Sequence, residues 1–148
     1  MTFEFSIPTP IGAKNFRIDP GTSILFVGAN GGGKTRLAVK IEGDLRDKAH
    51  RISAHRALNL NPTVAKISER NAILGLRTGH SWEGATVENR IGSRWQNAAA
   101  TYLLNDYDFL IQSLFADQSN TSLQTHKNAR AGTGKPVLAT KFEQLVEI

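Results

Sequence analysis

The chain has 148 residues, of which 40% are hydrophobic, and a formal net charge of +5. This length suits one domain with its own core, which argues against a wholly disordered chain. The absence of cysteine excludes disulfides and thiolate metal sites. We expect a soluble, cytoplasmic protein without a membrane partner, because the sequence shows neither a signal peptide nor an apolar run of bilayer length.

The chain begins with a predicted β-hairpin. Residues 3–7 alternate apolar and polar side chains until the prolines at 8 and 10, and residues 15–18 form a second short strand. A turn at residues 19–21 then leads into the apolar residues 23–27, which predict a buried strand. Phe16 in the second strand could stack on an adenine, although an aromatic residue there more often belongs to a core.

The next eight residues match the phosphate-binding loop pattern, in which two glycines flank four residues and Lys-Thr follows: Gly28, Ala29, Asn30, Gly31, Gly32, Gly33, Lys34 and Thr35. Residues 36–42 continue with helical spacing, so the order is strand, loop and helix. The glycines allow backbone N–H groups to converge on phosphate oxygens at the start of a helix. Lys34 would reach the β- and γ-phosphates and the Thr35 hydroxyl would hold Mg²⁺.

A plain glycine-rich turn would explain the glycines of this loop but not the Lys-Thr pair at the required offset. The pattern therefore predicts a nucleotide ligand, ATP with Mg²⁺, while the choice between adenine and guanine stays open.

The remainder of the chain is predicted to be mainly helical. The first helix ends near Asp47, a short strand follows at residues 51–54, and residues 58–62 form a loop. Thr63 caps a helix that Gly75 and Gly79 end. Trp82 lies in a loop, either exposed for a partner or folded back on the core, and we expect the second. From residue 86 we predict two helices with a break at residues 105–106. A flexible basic loop near 118–136 precedes a final helix capped by Thr140.

Residues 46–80 alone account for a surplus of five positive charges. The segment contains seven basic residues and only two acidic ones, Asp47 and Glu69. This surplus is compatible with a nucleic-acid partner or with a solvated surface. The seven are Arg46, Lys48, Arg51, Arg56, Lys66, Arg70 and Arg77. The spacing of His50, His55 and His80 is not helical, so we expect ordinary surface histidines and no metal site.

A complete ATPase also needs a carboxylate after a second buried strand to hold Mg²⁺. The nearest candidates are Asp106 and Asp117, but both follow residues with helical periodicity. Asp106 and Asp108 are expected in a solvated turn. The catalytic residues therefore stay unassigned, and whether this chain is an enzyme stays open.

The loop, reached from an N-terminal hairpin, resembles the first lobe of ABC-type ATPases. Within that class the chain is similar to soluble AAA-like ATPases related to chromosome-maintenance and double-strand-break repair proteins and to overcoming-lysogenization-defect nucleases. Residues 51–58 are similar to the segment after the first helix in ATPases of anti-phage defence systems. The resemblance implies the phosphate and Mg²⁺ roles given above, with Asn30 beside the γ-phosphate.

The resemblance also implies two composite ATP sites between two complete heads, and hence a homodimer. The family's Walker B aspartate, catalytic glutamate, signature sequence and switch histidine are not found here. We therefore expect an N-terminal fragment or truncated gene product, with a missing C-terminal half, that hydrolyses ATP negligibly. A nucleic acid or an effector protein would be its further partner.

The resulting expectation is an α/β P-loop NTPase fold with a hairpin and a partial parallel sheet. Residues 1–60 would form the nucleotide-binding core, and residues 61–148 a mainly helical segment of the same domain. Two alternatives remain. A small self-contained kinase or GTPase would need a second carboxylate motif, and a non-enzymatic nucleic-acid-binding module would use the basic face alone.

Overall fold

The computed structural model describes residues 2–54 and 61–146. Along the chain it contains strands β1 (Phe3–Thr9) and β2 (Gly12–Ile18), helix α1 (Lys34–Leu45), a 3₁₀ turn (Arg46–Lys48), and helices α2 (Glu69–Thr78), α3 (Asn89–Gly92), α4 (Tyr107–Arg130) and α5 (Lys141–Val146). The protein is therefore a mixed α/β structure, with its strands at the start and its helices after them.

The predicted hairpin is confirmed. β1 and β2 pair antiparallel in a register that joins Phe3 to Ile18 and Thr9 to Gly12. The cross-strand rings of Phe5 and Phe16 stack with centroids 5.6 Å apart, and Phe5 is buried. The ring of Phe16 is thus occupied within the hairpin, which favours its structural role over adenine stacking.

The buried strand predicted at residues 23–27 is wrong. Residues 22–29 form no strand, and Leu25 and Val27 are each 86% exposed. A strand buried on both faces must belong to a sheet that is covered on both faces, whereas the sheet in the described part of the chain contains only β1 and β2. The predicted partial parallel sheet and the predicted short strand at residues 51–54 are likewise absent from the residues that the structure describes.

α1 begins at the predicted place and continues into the 3₁₀ turn near Asp47, as expected. It packs on β1, where Lys40 Nζ donates to Ser6 Oγ at 3.1 Å. This contact ties the helix that starts at the predicted loop to the hairpin.

α2 starts later than predicted. The Asn61 side-chain oxygen accepts from the Thr63 N–H at 3.0 Å, so Thr63 lies in a turn. The helix is capped instead by the Ser68 hydroxyl, which accepts from the Asn71 N–H at 3.1 Å. Gly79 ends α2 in the left-handed conformation with φ 85°, as predicted, while Gly75 lies inside the helix. The predicted loop at residues 58–60 lies outside the described residues.

The break predicted before Asp106 is confirmed, because α4 begins at the next residue. The helix before it is shorter than predicted: α3 has four residues, and turns follow it. The predicted loop at 118–130 is wrong, since α4 runs through it to Arg130. That polar segment has neither Gly nor Pro before Gly132, so nothing in the backbone stops the helix.

The last helix is confirmed together with its cap. The Thr140 hydroxyl accepts from the Glu143 N–H at 3.3 Å, and the Glu143 carboxylate accepts from the Thr140 N–H at 2.7 Å. This is a capping box. Trp82, predicted to fold onto the core, is instead 57% exposed.

The core is small. In the described residues its apolar members are Phe5 of the hairpin and, in the later part of the chain, Ala72, Ala85, Trp95, Leu104 and Leu114. α4 is long enough to cross a bilayer but too polar, and no other helix within residues 2–54 and 61–146 combines the length and apolar character that crossing requires.

Gly75 allows close contact between α2 and α4. A Cβ there would lie 2.4 Å from Cδ1 of Phe109, so the ring must shift. We expect Gly75→Ala to lower the free energy of unfolding by about 1–3 kcal/mol despite the better helix propensity of alanine. Urea unfolding measures this. Gly43→Ala in α1, where a Cβ meets nothing within 4 Å, is the matched control and should stabilise. Equal changes in the two variants would contradict the packing argument.

Candidate functional site

The predicted phosphate loop is a turn followed by a helix start. The Gly32 N–H donates to the Ala29 carbonyl at 3.1 Å, which closes a four-residue turn. Gly31 in that turn has φ 80°, and Gly33, directly before α1, has φ 82°. Both values lie in the left-handed region that glycine adopts without strain. The glycines therefore occupy positions where the backbone needs them.

Lys34 folds back across this loop. Its Nζ donates to the carbonyl of Gly28 at 2.7 Å and to that of Ala29 at 2.9 Å. The ammonium is thus held beside the turn by the first residues of the motif, although Lys34 is the first residue of α1. A positive charge fixed over a glycine turn can bind an anion with little rearrangement.

The backbone donors of the loop are open. Among the described residues, no backbone hydrogen bond uses the N–H groups of Gly31, Gly33, Lys34 or Thr35. A Cβ at Gly31 or Gly33 would meet nothing within 4 Å, and the whole motif is exposed. Free N–H groups at a helix start, together with the helix dipole, favour a bound phosphate.

Thr35 lies in the first turn of α1, exposed, and its hydroxyl has no hydrogen-bond partner in the part of the chain that the structure describes. The described residues contain no cluster of three His, Asp or Glu side chains that could hold a metal by itself. Mg²⁺ commonly keeps waters and binds through one protein oxygen together with substrate phosphates, which this hydroxyl fits.

A groove of about 430 Å³ borders the loop. One wall is apolar and contains Ile7, Pro8 and Phe26, while Arg36 and Lys40 of α1 line the other. The space beside the predicted phosphate loop thus offers apolar surface together with Arg36, while the Lys40 ammonium is paired with Asp44 at 2.5 Å.

The two candidate carboxylates are engaged elsewhere. Asp106 is buried and accepts from Nη2 of Arg94 at 3.3 Å, which corrects the expectation of a solvated turn. Asp117 binds Lys141, whose backbone N–H donates to it at 2.8 Å and whose ammonium lies 3.2 Å away. The Lys141 backbone donor, and then its ammonium, hold the pKa of Asp117 below its usual value.

Sequence reasoning missed a buried charge cluster, formed by Glu42, Arg51, Arg90, Arg94 and Asp106. Glu42 of α1 is 6% exposed and accepts from Arg90 at 2.9 Å and from Arg51 at 3.1 Å. Arg94 lies 3.8 Å from the same carboxylate. The Arg51 guanidinium also stacks 3.7 Å from the ring centroid of Trp95.

This charge cluster joins the helix of the phosphate loop to the C-terminal half of the chain. Arg90 lies in α3, Arg94 lies two residues after the end of that helix, and Asp106 directly precedes α4. The sequence signal for this cluster is the spacing of two arginines four residues apart, the second directly before a tryptophan. This spacing alone does not predict a buried cluster, because the sequence does not show that Glu42 faces inward.

The cluster also changes the reading of the basic segment 46–80. Arg51 is paired with the buried Glu42 and Arg46 with the exposed Glu88, so carboxylates of the same chain compensate these two charges. Lys48, Lys66, Arg70 and Arg77 are exposed, and Arg56 and His55 lie outside the described residues. The surplus available to a polyanion is therefore smaller than the sequence indicates.

His50 lies next to the charge cluster. His50 keeps an exposed surface, but partial desolvation, and secondarily the positive charges of Arg94 and Arg77, lower its pKa, while Glu42 and Asp106 act in the opposite direction. His80 instead contacts the Ser93 hydroxyl at 2.7 Å through Nε2. His50 and His80 thus lie in separate places, and His50 is the one in contact with the charge cluster, with its Nε2 3.5 Å from Nη2 of Arg94.

Protonation of His50 should destabilise the fold. Its folded pKa lies below the unfolded value, so the unfolded chain takes up the proton first, and the stabilisation present above the unfolded pKa is lost as pH falls. We expect wild type to lose more stability than His50→Gln between about pH 7.5 and about pH 5. Urea unfolding at both pH values measures this, and equal losses in the two proteins would contradict it.

Comparison with known proteins gave no match for this chain, whether with family models, curated proteins or solved structures.

Proposed function

We propose that this protein binds Mg-ATP through residues 28–35, which act as a phosphate-binding loop of the kind that P-loop NTPases use. The observation that carries the proposal is the position of Lys34, whose Nζ lies 2.7 Å from the Gly28 carbonyl across a glycine-turned loop. A glycine-rich linker with no ligand would not require a lysine held over it. The order of turn, free N–H groups and helix start supports the same ligand class.

Each part of the loop has a distinct task in this proposal. The N–H groups of Gly31, Gly33 and Lys34 donate to the phosphate oxygens, and the Lys34 ammonium neutralises the outer phosphates. The Thr35 hydroxyl binds Mg²⁺, which bridges those phosphates and carries part of their charge. The apolar wall at Ile7 and Phe26 borders the loop and offers room for the rest of the nucleotide.

We place the protein with ABC-type or AAA-like ATPases on the resemblance of the loop and hairpin, with a homodimer as the expected assembly. Nucleic acid or an effector protein would be the target of such an assembly. We expect binding without measurable turnover, because Asp106 and Asp117 are both bound to cations of their own chain. A catalytic carboxylate must be free to hold Mg²⁺ or water.

The test is a titration of the purified chain with a fluorescent ATP analogue, with and without Mg²⁺, while phosphate release is followed in the same sample. We expect binding that Mg²⁺ strengthens and unlabelled ATP reverses. Thr35→Val, which replaces the hydroxyl by a methyl, should remove most of the Mg²⁺ effect. Absence of any reversible binding would reject the proposal. Robust phosphate release would contradict the expectation that the chain lacks a free catalytic carboxylate.

The exposed cations Lys48, Lys66, Arg70 and Arg77 favour nucleic-acid binding as a second candidate function. Such binding should weaken steeply with salt and should not depend on Lys34. Retention of DNA by a Lys34→Ala variant at low salt would support it, and no retention by wild type would exclude it.

A further inference from the structure

We propose that Asn30 is a site of spontaneous deamidation, so that the phosphate loop carries a built-in route to its own chemical modification. Asn30 is the one asparagine of the sequence that glycine follows directly. Glycine has no Cβ, and its backbone nitrogen can therefore approach the side-chain carbonyl carbon of the preceding asparagine without obstruction.

The structure leaves both reacting groups accessible. Asn30 and Gly31 are exposed, and a Cβ at Gly31 would meet nothing within 4 Å. Within residues 2–54 and 61–146, neither the Asn30 side chain nor the Gly31 N–H makes a hydrogen bond. A single backbone hydrogen bond of 3.1 Å, from Gly32 to Ala29, closes the turn around them. Little must break before the ring-closing geometry is reached.

Two other asparagines provide a contrast within the same chain. Asn71 lies in α2, and the backbone N–H of the next residue, Ala72, donates to the Ser68 carbonyl at 3.0 Å. The Asn89 side chain accepts from the Thr86 N–H at 2.8 Å and is thereby held. In both cases the nitrogen or the carbonyl that would react is restrained, so these sites should react more slowly than Asn30.

The reaction needs only water. The deprotonated backbone nitrogen of Gly31 attacks the side-chain carbonyl carbon of Asn30, the new N–C bond forms, and the side-chain nitrogen leaves as ammonia. Water then opens the five-membered imide at either carbonyl and gives aspartate or isoaspartate. One water is consumed overall for each ammonia released, and the loop gains one negative charge.

The consequence for ligand binding rests on the proposed function. A carboxylate at position 30 would repel the phosphates, and isoaspartate would lengthen the backbone before Gly31 and displace its N–H group. We expect about tenfold or weaker nucleotide binding after modification, a change that corresponds to about 1.4 kcal/mol. Bound Mg-ATP should in turn slow deamidation, because a Gly31 nitrogen engaged with phosphate is less available for attack.

The first test measures the chemistry alone. Freshly purified full chain is incubated at 37 °C at neutral and at mildly alkaline pH, digested with trypsin, and residues 18–34 are followed by mass spectrometry with enzymatic detection of isoaspartate. We expect Asn30 to react before Asn71 and Asn89, faster at the higher pH, and the same peptide of Asn30→Gln to stay unmodified. Conversion of Asn71 or Asn89 while Asn30 stays intact would overturn the proposal.

The second test separates this inference from the proposed function. Fresh chain, aged chain and Asn30→Asp are titrated with the fluorescent ATP analogue. Weaker binding by the last two supports the consequence for the site, and equal binding by all three overturns it. If fresh chain binds no nucleotide, the proposed function fails, while the mass measurement still decides whether Asn30 is modified.

Discussion

Replacing Glu42 by Gln is expected to lower the free energy of unfolding by about 3–5 kcal/mol, the range found when one partner of a buried ion pair is removed. Glu42 is 6% exposed and touches Arg90 and Arg51 at hydrogen-bond distance. Without its charge, three buried or partly buried guanidiniums would share the single carboxylate of Asp106. Urea unfolding monitored through the buried Trp95 would measure the loss.

Glu88→Gln is the matched control for this prediction. Glu88 makes the same kind of ion pair with Arg46, but its side chain is 57% exposed, so water can replace the lost contact. We expect a change below about 1 kcal/mol. If the two variants were equally stable, the charge cluster would not hold α1 to the C-terminal half, and the apolar contacts around Trp95 would have to do so alone.

The charge cluster marks the limit of prediction from this sequence. Helix starts, caps and turns depend on a few neighbouring residues, and the hairpin, α1, the end of α2 and the Thr140 cap were predicted from them. The inward orientation of Glu42, by contrast, depends on arginines elsewhere in the chain, of which Arg90 is 48 residues away. No local pattern can distinguish a buried carboxylate with distant partners from an exposed one.

The strand predicted at residues 23–27 failed for a related reason. Its side chains are apolar on both faces, which is typical of a strand in a sheet that is covered on both faces. Such a strand needs neighbouring strands and covering elements that only the remainder of a fold can supply. Leu25 and Val27 are exposed because no described segment pairs with them. The glycine turn and the helix start at residues 28–35 were predictable because their signal lies within eight consecutive residues, and the phosphate role of this loop stays a prediction.

Lys34→Ala is expected to weaken nucleotide binding by about a hundredfold, because hydrogen bonds to charged groups contribute about 1.5–3 kcal/mol each and 1.4 kcal/mol is a factor of ten. Calorimetry with Mg-ATP measures the change. Lys135→Ala is the matched control, since Lys135 also follows a glycine, at position 134, and is exposed in a basic segment. It should leave the affinity unchanged if the loop, and not general positive charge, binds the ligand.

A Lys34→Met variant then separates the ammonium from the shape of the loop. Met keeps most of the length of the side chain but cannot donate to the carbonyls of Gly28 and Ala29, which Lys34 now holds at 2.7 and 2.9 Å. The loop is exposed, so neither substitution should unfold the chain. If both variants lost nucleotide while their unfolding midpoints stayed at the wild-type value, the loss would belong to the ammonium. Unchanged affinity in both would mean that the glycine loop binds no phosphate through Lys34.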